Sequence, residues 1–410
     1  MLRNLRIDGT RLWQSLMQMA AVGATQRGGC CRLALSDEDK AGRDLFVEWC
    51  RGAGCHISVD RMGNIFARRP GTDPNLPPIA TGSHLDTQPH GGKYDGAYGV
   101  LAGLEVVRTL NDHGIDTAAP VEVIVWTNEE GARFAPSMIA SGVFGGAYDA
   151  EFALACSDGD GRTIGEELDR IGYAGDETCG DHPLGAFFEA HIEQGPVLER
   201  EGKIIGVVTG VQGLRWYDAD VHGQDAHSGS TPMAGRRNAL VGGAEMIRAI
   251  DALAHSFSPD AVATVGQLDV SPNSRNTIPG HVHFTVDIRH PQAGIIEKME
   301  QQMRRTCSEI AARYGLEHGI EQVAHTPPVV FDEGCIQAVL EASQSLGYPH
   351  QPIRSGAGHD ACHISGVAPT GMIFVPCAGG LSHNEAESAA PGDLEAGCNV
   401  LLHAMLSKAG

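Results

Sequence analysis

One short run constrains the fold of this 410-residue chain more than any other feature. Residues 121–126 read Val-Glu-Val-Ile-Val-Trp, a nearly continuous series of β-branched and aromatic side chains. A strand with one solvated face alternates apolar and polar residues, whereas a strand that is covered on both faces does not. The run therefore predicts a buried strand, of the kind found in parallel sheets.

Similar short apolar runs recur through the first half of the chain. Residues 78–82 form one of them, and Val100, Leu104 and Val107 follow with helical spacing after a glycine-rich stretch. Strands that alternate with helices in this way are typical of βα units. A further strand is predicted around residues 373–375, and a closing helix is predicted from Leu394 onward. We therefore predict an α/β fold with a mainly parallel central sheet.

The chain is longer than about 250–300 residues, the size at which a single hydrophobic core stops growing, so two domains are expected. The βα pattern gives way to alternating strands and two helical stretches, and the dipeptide Pro327-Pro328 marks its return. We predict a discontinuous main domain of residues 1–213 and 327–410, interrupted by an inserted α+β domain of residues 214–326. The strands of the insertion are predicted at residues 216–221, 263–270 and 282–289.

Composition disfavours several classes of partner. The formal net charge is −21 and no Lys/Arg-rich run is present, which argues against nucleic acid and anionic membranes. The sequence contains no run of about 18 apolar residues, and its first 20 residues do not resemble a secretory signal. Eleven cysteines are scattered along the chain, a usage typical of reduced and mostly buried thiols. We expect a soluble cytoplasmic protein.

Imidazole and carboxylate side chains gather in turn-like sequence, several of them at the ends of predicted strands. Ligand sites in open α/β sheets lie beyond the carboxyl ends of the strands. Imidazoles and carboxylates suit zinc, manganese, cobalt or nickel, and one carboxylate can bridge two ions. The sequence therefore indicates a dinuclear metal site. The candidate side chains are His84, Asp86, Asp95, Glu129, Glu130, His191 and His383.

Each of these signals has a structural alternative. A single histidine is more often structural than a ligand, and an aspartate in a glycine-rich turn, such as Asp95, usually only forms the turn. The neighbouring carboxylates of Glu129 and Glu130 are usually a solvated pair, but after a buried strand their repulsion favours a cation beside them. His84 and Asp86 lie two residues apart, so Asp86 can face the imidazole and fix its tautomer.

Seven stretches of the sequence carry a resemblance to a known family. They read GSHLDTQPHGGKYDG, TNEEGARFAPSM, EAHIEQGPVLE, AHSGSTPM, SRNTIPG, GAGHDA and LSHNEAE, in this order. With these motifs the chain resembles, over nearly its whole length, the amidase/carbamoylase branch of the dinuclear aminopeptidase-like hydrolases. That branch includes N-carbamoyl-L-amino acid hydrolases, β-ureidopropionases and allantoate amidohydrolases. The resemblance implies an aminopeptidase-like catalytic domain and identifies the insertion as a lid and dimerisation domain.

The resemblance also implies how the metal ions are held. His84 and His191 are expected to bind one divalent ion, Glu130 and His383 are expected to bind a second, and Asp95 is expected to bridge them. All five positions of the family's ligand set are intact in this sequence. Two divalent ions per subunit are therefore the predicted cofactors, and the ligand chemistry suits zinc, manganese, cobalt or nickel.

Three further residues are implied in the chemical step. Glu129 matches the general base, which takes a proton from the attacking water and passes it to the leaving nitrogen. Asp86 is expected to fix the tautomer of the His84 imidazole without binding metal itself. His227 lies in the AHSG motif and matches the histidine that polarises the scissile carbonyl. A serine follows it, where relatives often have alanine or threonine.

Four residues match positions that contact the substrate. Asn276 and Arg289 match residues that bind the substrate carboxylate, and a guanidinium suits a planar carboxylate through two parallel hydrogen bonds. The alternation of its strand places Arg289 on a polar face, where the alternative is a surface ion pair with Asp287. Gln194 and Gly358 match further substrate contacts.

The expected reaction is hydrolysis of the ureido C–N bond of an N-carbamoyl amino acid by a homodimer. The HLDTQPxGGKYDG motif favours a β-ureidopropionase. An allantoate amidohydrolase is the nearest alternative because it shares every metal ligand, although arginine is expected there at the position of Trp216. A peptidase or aminoacylase is a further alternative. A binding protein that has lost catalysis is disfavoured, since no ligand and no base is missing.

Overall fold

The computed structural model describes residues 4–410 and divides into two compact units. The first unit joins the described residues up to Thr209 to residues Val330–Gly410, and the second unit consists of Gly210–Val329. The predicted insertion of residues 214–326 falls inside the second unit. Across residues 4–410, no helix combines the length and the apolar character needed to cross a membrane.

Several helices begin where a side chain accepts hydrogen bonds from their first backbone N–H groups. Ser36, Asn238 and Asp332 accept such hydrogen bonds at three of them. The last helix starts at Pro391, three residues before the predicted Leu394, because proline suits the first helical position. The helices are α1 (Gly9–Ala21), α2 (Asp37–Gly52), α3 (Ala97–Asp112), α4 (Ile139–Phe144), α5 (Ala150–Ala155), α6 (Ile164–Ile171), α7 (Val197–Glu201), α8 (Ala239–Ser256), α9 (Ala293–Tyr314), α10 (Glu333–Leu346), α11 (Ala361–Ile364) and α12 (Pro391–Ala409).

The strands form a nine-stranded sheet, a five-stranded sheet and a two-stranded sheet of β8 and β11. They are β1 (His56–Val59), β2 (Ile65–Arg69), β3 (Ile79–His84), β4 (Val121–Trp126), β5 (Ala186–Ile192), β6 (Ile205–Val211), β7 (Gly213–His222), β8 (Ala226–His227), β9 (Val262–Thr264), β10 (Leu268–Ser271), β11 (Thr277–Ile278), β12 (His281–His290), β13 (Glu317–Thr326), β14 (Val329–Val330), β15 (His350–Ser355) and β16 (Thr370–Val375).

The large sheet has the order β1-β2-β4-β3-β5-β16-β6-β14, with β15 paired to β6. Its centre, β4-β3-β5-β16, is parallel, whereas β1, β2 and β6 pair antiparallel with their neighbours. Every residue of the four central strands is buried, and α3 and α12 pack against them. The predicted α/β fold with a mainly parallel sheet is confirmed, and the run at residues 121–126 is strand β4.

The small sheet is antiparallel, in the order β10-β12-β7-β13 with β9 also on β12. Strand β12 alternates strictly between half-buried and buried residues, as predicted, because α8 and α9 pack against the sheet and bury one set of side chains. The single strand predicted at residues 263–270 was wrong. Two short strands, β9 and β10, lie there and pair with different parts of β12.

Candidate metal centre

Three parallel strands bring candidate ligands to one edge of the large sheet. His84 is the last residue of β3, His191 is the penultimate residue of β5, and Glu129 and Glu130 follow β4. Because parallel strands end at the same edge, these side chains approach one another. The Nε2 atom of His84 lies 3.4 Å from Oε2 of Glu129, and the rings of His84 and His191 lie 6.2 Å apart between centroids.

The carboxylate of Asp95 lies at the centre of the cluster, and its two oxygens face different partners. Oδ1 lies 3.1 Å from Nε2 of His191 and 3.7 Å from Nε2 of His84. Oδ2 lies 3.4 Å from Nε2 of His383, which is itself 3.3 Å from Oε2 of Glu130. One carboxylate therefore faces two separate pairs of ligand atoms, which is the arrangement of a bridging ligand.

The turn after Asp95 requires glycine. Gly96 has φ of +65°, and a Cβ atom there would lie 2.4 Å from ring atoms of His84. The backbone N–H of Gly96 also donates to Nε2 of His191 at 3.3 Å. The glycine-rich sequence before α3 thus lets the backbone approach both imidazoles closely.

The other nitrogen of each buried imidazole is held by a backbone carbonyl. Nδ1 of His191 contacts the carbonyl of Ile192 at 2.9 Å, and Nδ1 of His84 contacts the carbonyl of Asp86 at 2.8 Å. Each contact leaves Nε2 directed toward Asp95. The carboxylate of Asp86, predicted to fix the tautomer of His84, lies 4.0 Å from that ring. Asp86 therefore orients the imidazole through its main chain.

The Asp86 carboxylate instead holds the turn that follows β4. Its two oxygens accept hydrogen bonds from the backbone N–H groups of Glu129 and Glu130, at 3.3 and 3.2 Å. Asn128 stands before them with φ of +56°, so the turn is tight. These two hydrogen bonds fix the backbone positions of Glu129 and Glu130, because the N–H groups of successive residues bind one buried carboxylate.

Sequence reasoning missed several partners of Asp95. Gln194, predicted as a substrate contact, donates its amide to Oδ2 of Asp95 at 2.8 Å, and Ser382 donates its hydroxyl there at the same distance. Glu387 accepts the backbone N–H groups of Tyr94 and Asp95. Ser382 and Glu387 lie in the LSHNEAE motif, which was the available signal. Their partners cannot be identified from the motif alone, because they lie nearly 300 residues away.

Sequence reasoning also missed two buried polar residues near His191, Glu189 and His359. Glu189 accepts hydrogen bonds from the Ser83 hydroxyl at 2.8 Å and from the backbone N–H of Ala361 at 3.0 Å. The ring of His359 packs against that of His191, with 4.6 Å between centroids. Both residues belong to quoted motifs, EAHIEQGPVLE and GAGHDA. These contacts confine the His191 ring.

The carboxylates and imidazoles of the cluster shift one another's pKa values. Burial raises the pKa of Glu129 well above its ordinary value, and the charges of Asp360 and Glu130 add to this. Burial likewise raises the pKa of Glu130 to about 8, with the charge of Asp95 as the next cause. The hydrogen bond to Asp95 raises the pKa of His383 to about 9. Histidine protons thus balance the carboxylates here.

This donor set fits two divalent ions. The first group, His84, Asp95 and His191, is buried, and the second, Asp95, Glu130 and His383, opens toward solvent at His383. Imidazole and carboxylate donors of this number suit ions of the zinc and manganese type, and an ion that binds such donors competes with protons for them.

Three of the remaining predicted residues, His227, Asn276 and Arg289, lie in the second unit. Nδ1 of His227 accepts backbone N–H groups from Gly229 and Ser230, both at 3.1 Å, so a neutral His227 carries its proton on Nε2. The backbone carbonyl of Asn276 accepts from Ser228 at 2.9 Å, beside the short β8–β11 ladder. The ladder holds His227 and Asn276 near each other.

Arg289 forms the ion pair that was its structural alternative. Its Nη2 lies 2.7 Å from Oδ2 of Asp287, on the half-buried side of β12. Trp216 pairs with Asp287 across the sheet and is 45% exposed. In the first unit, Gly358 is exposed, and a Cβ atom there would meet the Met138 side chain at 2.8 Å.

The sequence pattern of Peptidase family M20/M25/M40 matches residues 80–407. The chain belongs to this family. Members of the family are metal-dependent hydrolases. The matched range contains every candidate ligand described above, together with Glu129 and the residues of the second unit.

Individual relatives match over almost the full chain. An N-carbamoyl-L-amino-acid amidohydrolase of Rhizobium meliloti is 51% identical, over 99% of this chain and 98% of the relative. One of Geobacillus stearothermophilus is 38% identical, over 97% and 98%. The crystal structure of an amidase of the hydantoinase/carbamoylase family from Burkholderia multivorans superposes with a TM-score of 0.97 at 57% identity, over 99% and 98%.

A more distant relative bears on the predicted alternative. An allantoate amidohydrolase of Bacillus subtilis is 32% identical, over 93% of each chain. The resemblance to the amidase/carbamoylase branch is therefore confirmed, and this chain is more similar to carbamoyl amino acid hydrolases than to that allantoate enzyme.

Proposed function

We propose that this protein hydrolyses the carbamoyl C–N bond of N-carbamoyl-L-amino acids, giving the amino acid, carbon dioxide and ammonia. The observation that carries the proposal is the carboxylate of Asp95, whose two oxygens face two separate sets of ligand atoms. The names of the similar relatives support the substrate class. Free β-ureido acids, favoured by one sequence motif, form the second substrate class to be tested.

We assign two divalent ions to the cluster. His84 and His191 hold the first ion, Glu130 and His383 hold the second, and Asp95 is shared. When bound, the ions supply Lewis acidity, which polarises the carbonyl and makes water a nucleophile at neutral pH. Zinc and manganese are the metals that we expect first.

Glu129 is the proton carrier in this proposal. Its carboxyl is buried beside the ligands, and its backbone is fixed by Asp86. It takes a proton from the water that attacks the carbamoyl carbon, and it delivers that proton to the amino acid nitrogen as the C–N bond breaks. The carbamate that remains decomposes to carbon dioxide and ammonia.

Residues of the second unit are assigned by their chemistry. The Nε2–H group of a neutral His227 is a donor that suits the oxygen of the tetrahedral intermediate. Asn276 and Arg289 suit the substrate carboxylate, and binding then exchanges the Asp287 carboxylate for that of the substrate at the guanidinium. The homodimer and the cytoplasmic location stay predictions that rest on the sequence.

The test is ammonia release by protein reconstituted with zinc, manganese, cobalt or nickel. The substrates are an N-carbamoyl-L-α-amino acid, its D-enantiomer, N-carbamoyl-β-alanine and allantoate, and Glu129→Gln is the inactive control. We expect turnover of the L-α-compound that depends on added metal. Turnover of N-carbamoyl-β-alanine alone, or of allantoate alone, would replace the substrate class and leave the metal assignment standing. Metal-independent turnover would overturn both.

A further inference from the structure

The second unit carries a cluster of metal-binding side chains that the proposed reaction does not use. It lies where β7 ends and β12 begins. His281 pairs directly with His222, and His283 pairs with Asp220, so all four side chains share one face of the sheet. This is the face that α8 and α9 leave uncovered, because the intervening Val221, Val282 and Phe284 are buried. We call these four residues the β7–β12 cluster.

The side chains of this cluster converge. The rings of His222 and His281 stack with 4.5 Å between centroids and 9° between planes. Oδ1 of Asp220 lies 2.7 Å from Nε2 of His281 and 3.4 Å from Nδ1 of His283. One ligand atom each from Asp220, His222 and His281 lies within 4.8 Å of the other two.

We propose that Asp220, His222 and His281 bind a divalent metal ion of the zinc class, with His283 beside them. Two imidazoles and one carboxylate are a common donor set for zinc, and ligand atoms in a tetrahedral site are about 3.3 Å apart. The three ligand atoms lie within 4.8 Å of one another, and paired strands fix the Cα positions, so the proposed site requires side-chain rotation rather than a change in the backbone.

The surroundings favour a cation and give it access. Two further carboxylates adjoin the cluster on neighbouring strands, because Asp269 pairs with His283 and Glu317 pairs with His222. Glu317 already forms an ion pair with Arg237, so Asp269 is the carboxylate that adds negative charge here. His222 is exposed, and the side chains of Asp220 and His281 keep 44% and 39% of their surface. An ion can therefore enter without opening the fold. Binding requires neutral imidazoles, so it displaces any proton from His281.

The alternative for the same atoms is a plain ion pair between Asp220 and a protonated His281. The two possibilities differ in metal content, so they can be separated in the full-length protein. Because the cluster belongs to the second unit and contains none of the residues assigned to the reaction, the inference does not depend on the proposed function.

The experiment measures the zinc content per chain of the full-length protein by inductively coupled plasma mass spectrometry. The protein is first brought to equilibrium by dialysis at a fixed free zinc concentration. The measurement compares the natural sequence with the double variant His222→Gln/His281→Gln. The matched control is His325→Gln, which removes an exposed histidine of β13 in the same unit. We expect one zinc fewer per chain in the double variant and no change in the control.

A titration sharpens the result. In the single variant His281→Gln, the half-saturating zinc concentration of this site should rise by at least about tenfold, because even groups that only support a metal ligand have effects of this size. Equal zinc content in the natural protein and the double variant would overturn the proposal and leave the ion pair. Circular dichroism in chelator checks that each variant is folded, and Asp220→Asn provides an independent variant with the same expected loss.

Discussion

Glu167 and Glu130 are glutamates of the first unit that each expose 4% of their side-chain surface. Glu167 is surrounded by permanent cations, because Arg133 donates to it at 2.7 Å and Arg170 at 2.9 Å. Glu130 has Gln88 as its hydrogen-bond donor at 2.8 Å and His383 as its ion-pair partner. Two carboxylates of equal exposure thus differ in where their compensating charge comes from.

The pKa values follow this difference. The hydrogen bond from Arg170 lowers the pKa of Glu167, whereas burial raises the pKa of Glu130 to about 8. A buried carboxylate is stable in its charged form only when a partner compensates the loss of water. For Glu167 the partners are the side chains of Arg133 and Arg170. Around Glu130, the compensating cation would instead come from outside the protein, as expected at a metal site.

The largest effect is expected from Asp95→Asn, which removes the carboxylate that both ions would share in the proposed site. We predict loss of bound metal and a fall in activity of at least about 10⁴-fold, because the ions supply several kcal/mol of transition-state stabilisation. Metal analysis and ammonia release measure both. The matched control is Asp158→Asn, which removes the carboxylate that pairs with Arg133 near Glu167. The metal content of this variant should not change. Full metal content in Asp95→Asn would remove the bridging role.

Glu129→Gln separates proton transfer from metal binding. The amide keeps the size of the side chain but cannot accept a proton, so kcat should fall by about 10²–10⁴-fold. Bound metal should stay at the level of the natural protein. If metal content fell in parallel with activity, Glu129 would belong to the ligands, and the distinction between the two adjacent glutamates would fail.

Asp86→Asn tests the hydrogen bonds between the Asp86 carboxylate and the backbone N–H groups of Glu129 and Glu130. Asparagine has a single acceptor oxygen for the two backbone N–H groups of Glu129 and Glu130, so one donor loses its partner. We predict a decrease of about 10–100-fold in metal affinity or in kcat at saturating metal, as for other groups that hold ligands in place. Unchanged kinetics together with unchanged metal titration would show that the turn holds its shape without this carboxylate.

The smallest effect is expected from Glu167→Gln, which should lower the free energy of unfolding by about 2 kcal/mol at neutral pH, because charge-assisted hydrogen bonds are lost. Since the folded state lowers the pKa of Glu167, its contribution is present above the ordinary pKa and is lost as the pH falls through the folded value. Urea unfolding at pH 7 and below about pH 4 should therefore show a difference that shrinks with acid. A constant difference would contradict the charge-based explanation.

Local patterns in the sequence were sufficient for the main features of the fold. The buried strand β4, the parallel sheet and the alternation along β12 follow from residue spacing, because strand and helix periodicities differ. The predicted strand at residues 263–270 failed because hydrophobic spacing alone does not show where pairing with β12 is interrupted. Its two parts have different partners along β12, and those partners lie elsewhere in the chain.

For the site, the sequence by itself indicated the candidate side chains, because they lie in motifs that resemble those of a known family. Only the tertiary structure decided which atoms meet. It placed the Asp86 carboxylate on the backbone of Glu129 and Glu130 rather than on His84, and it turned Gln194 toward Asp95. The physical reason is that a hydrogen bond depends on distances below about 3.5 Å between residues far apart in sequence, which packing of the whole unit sets.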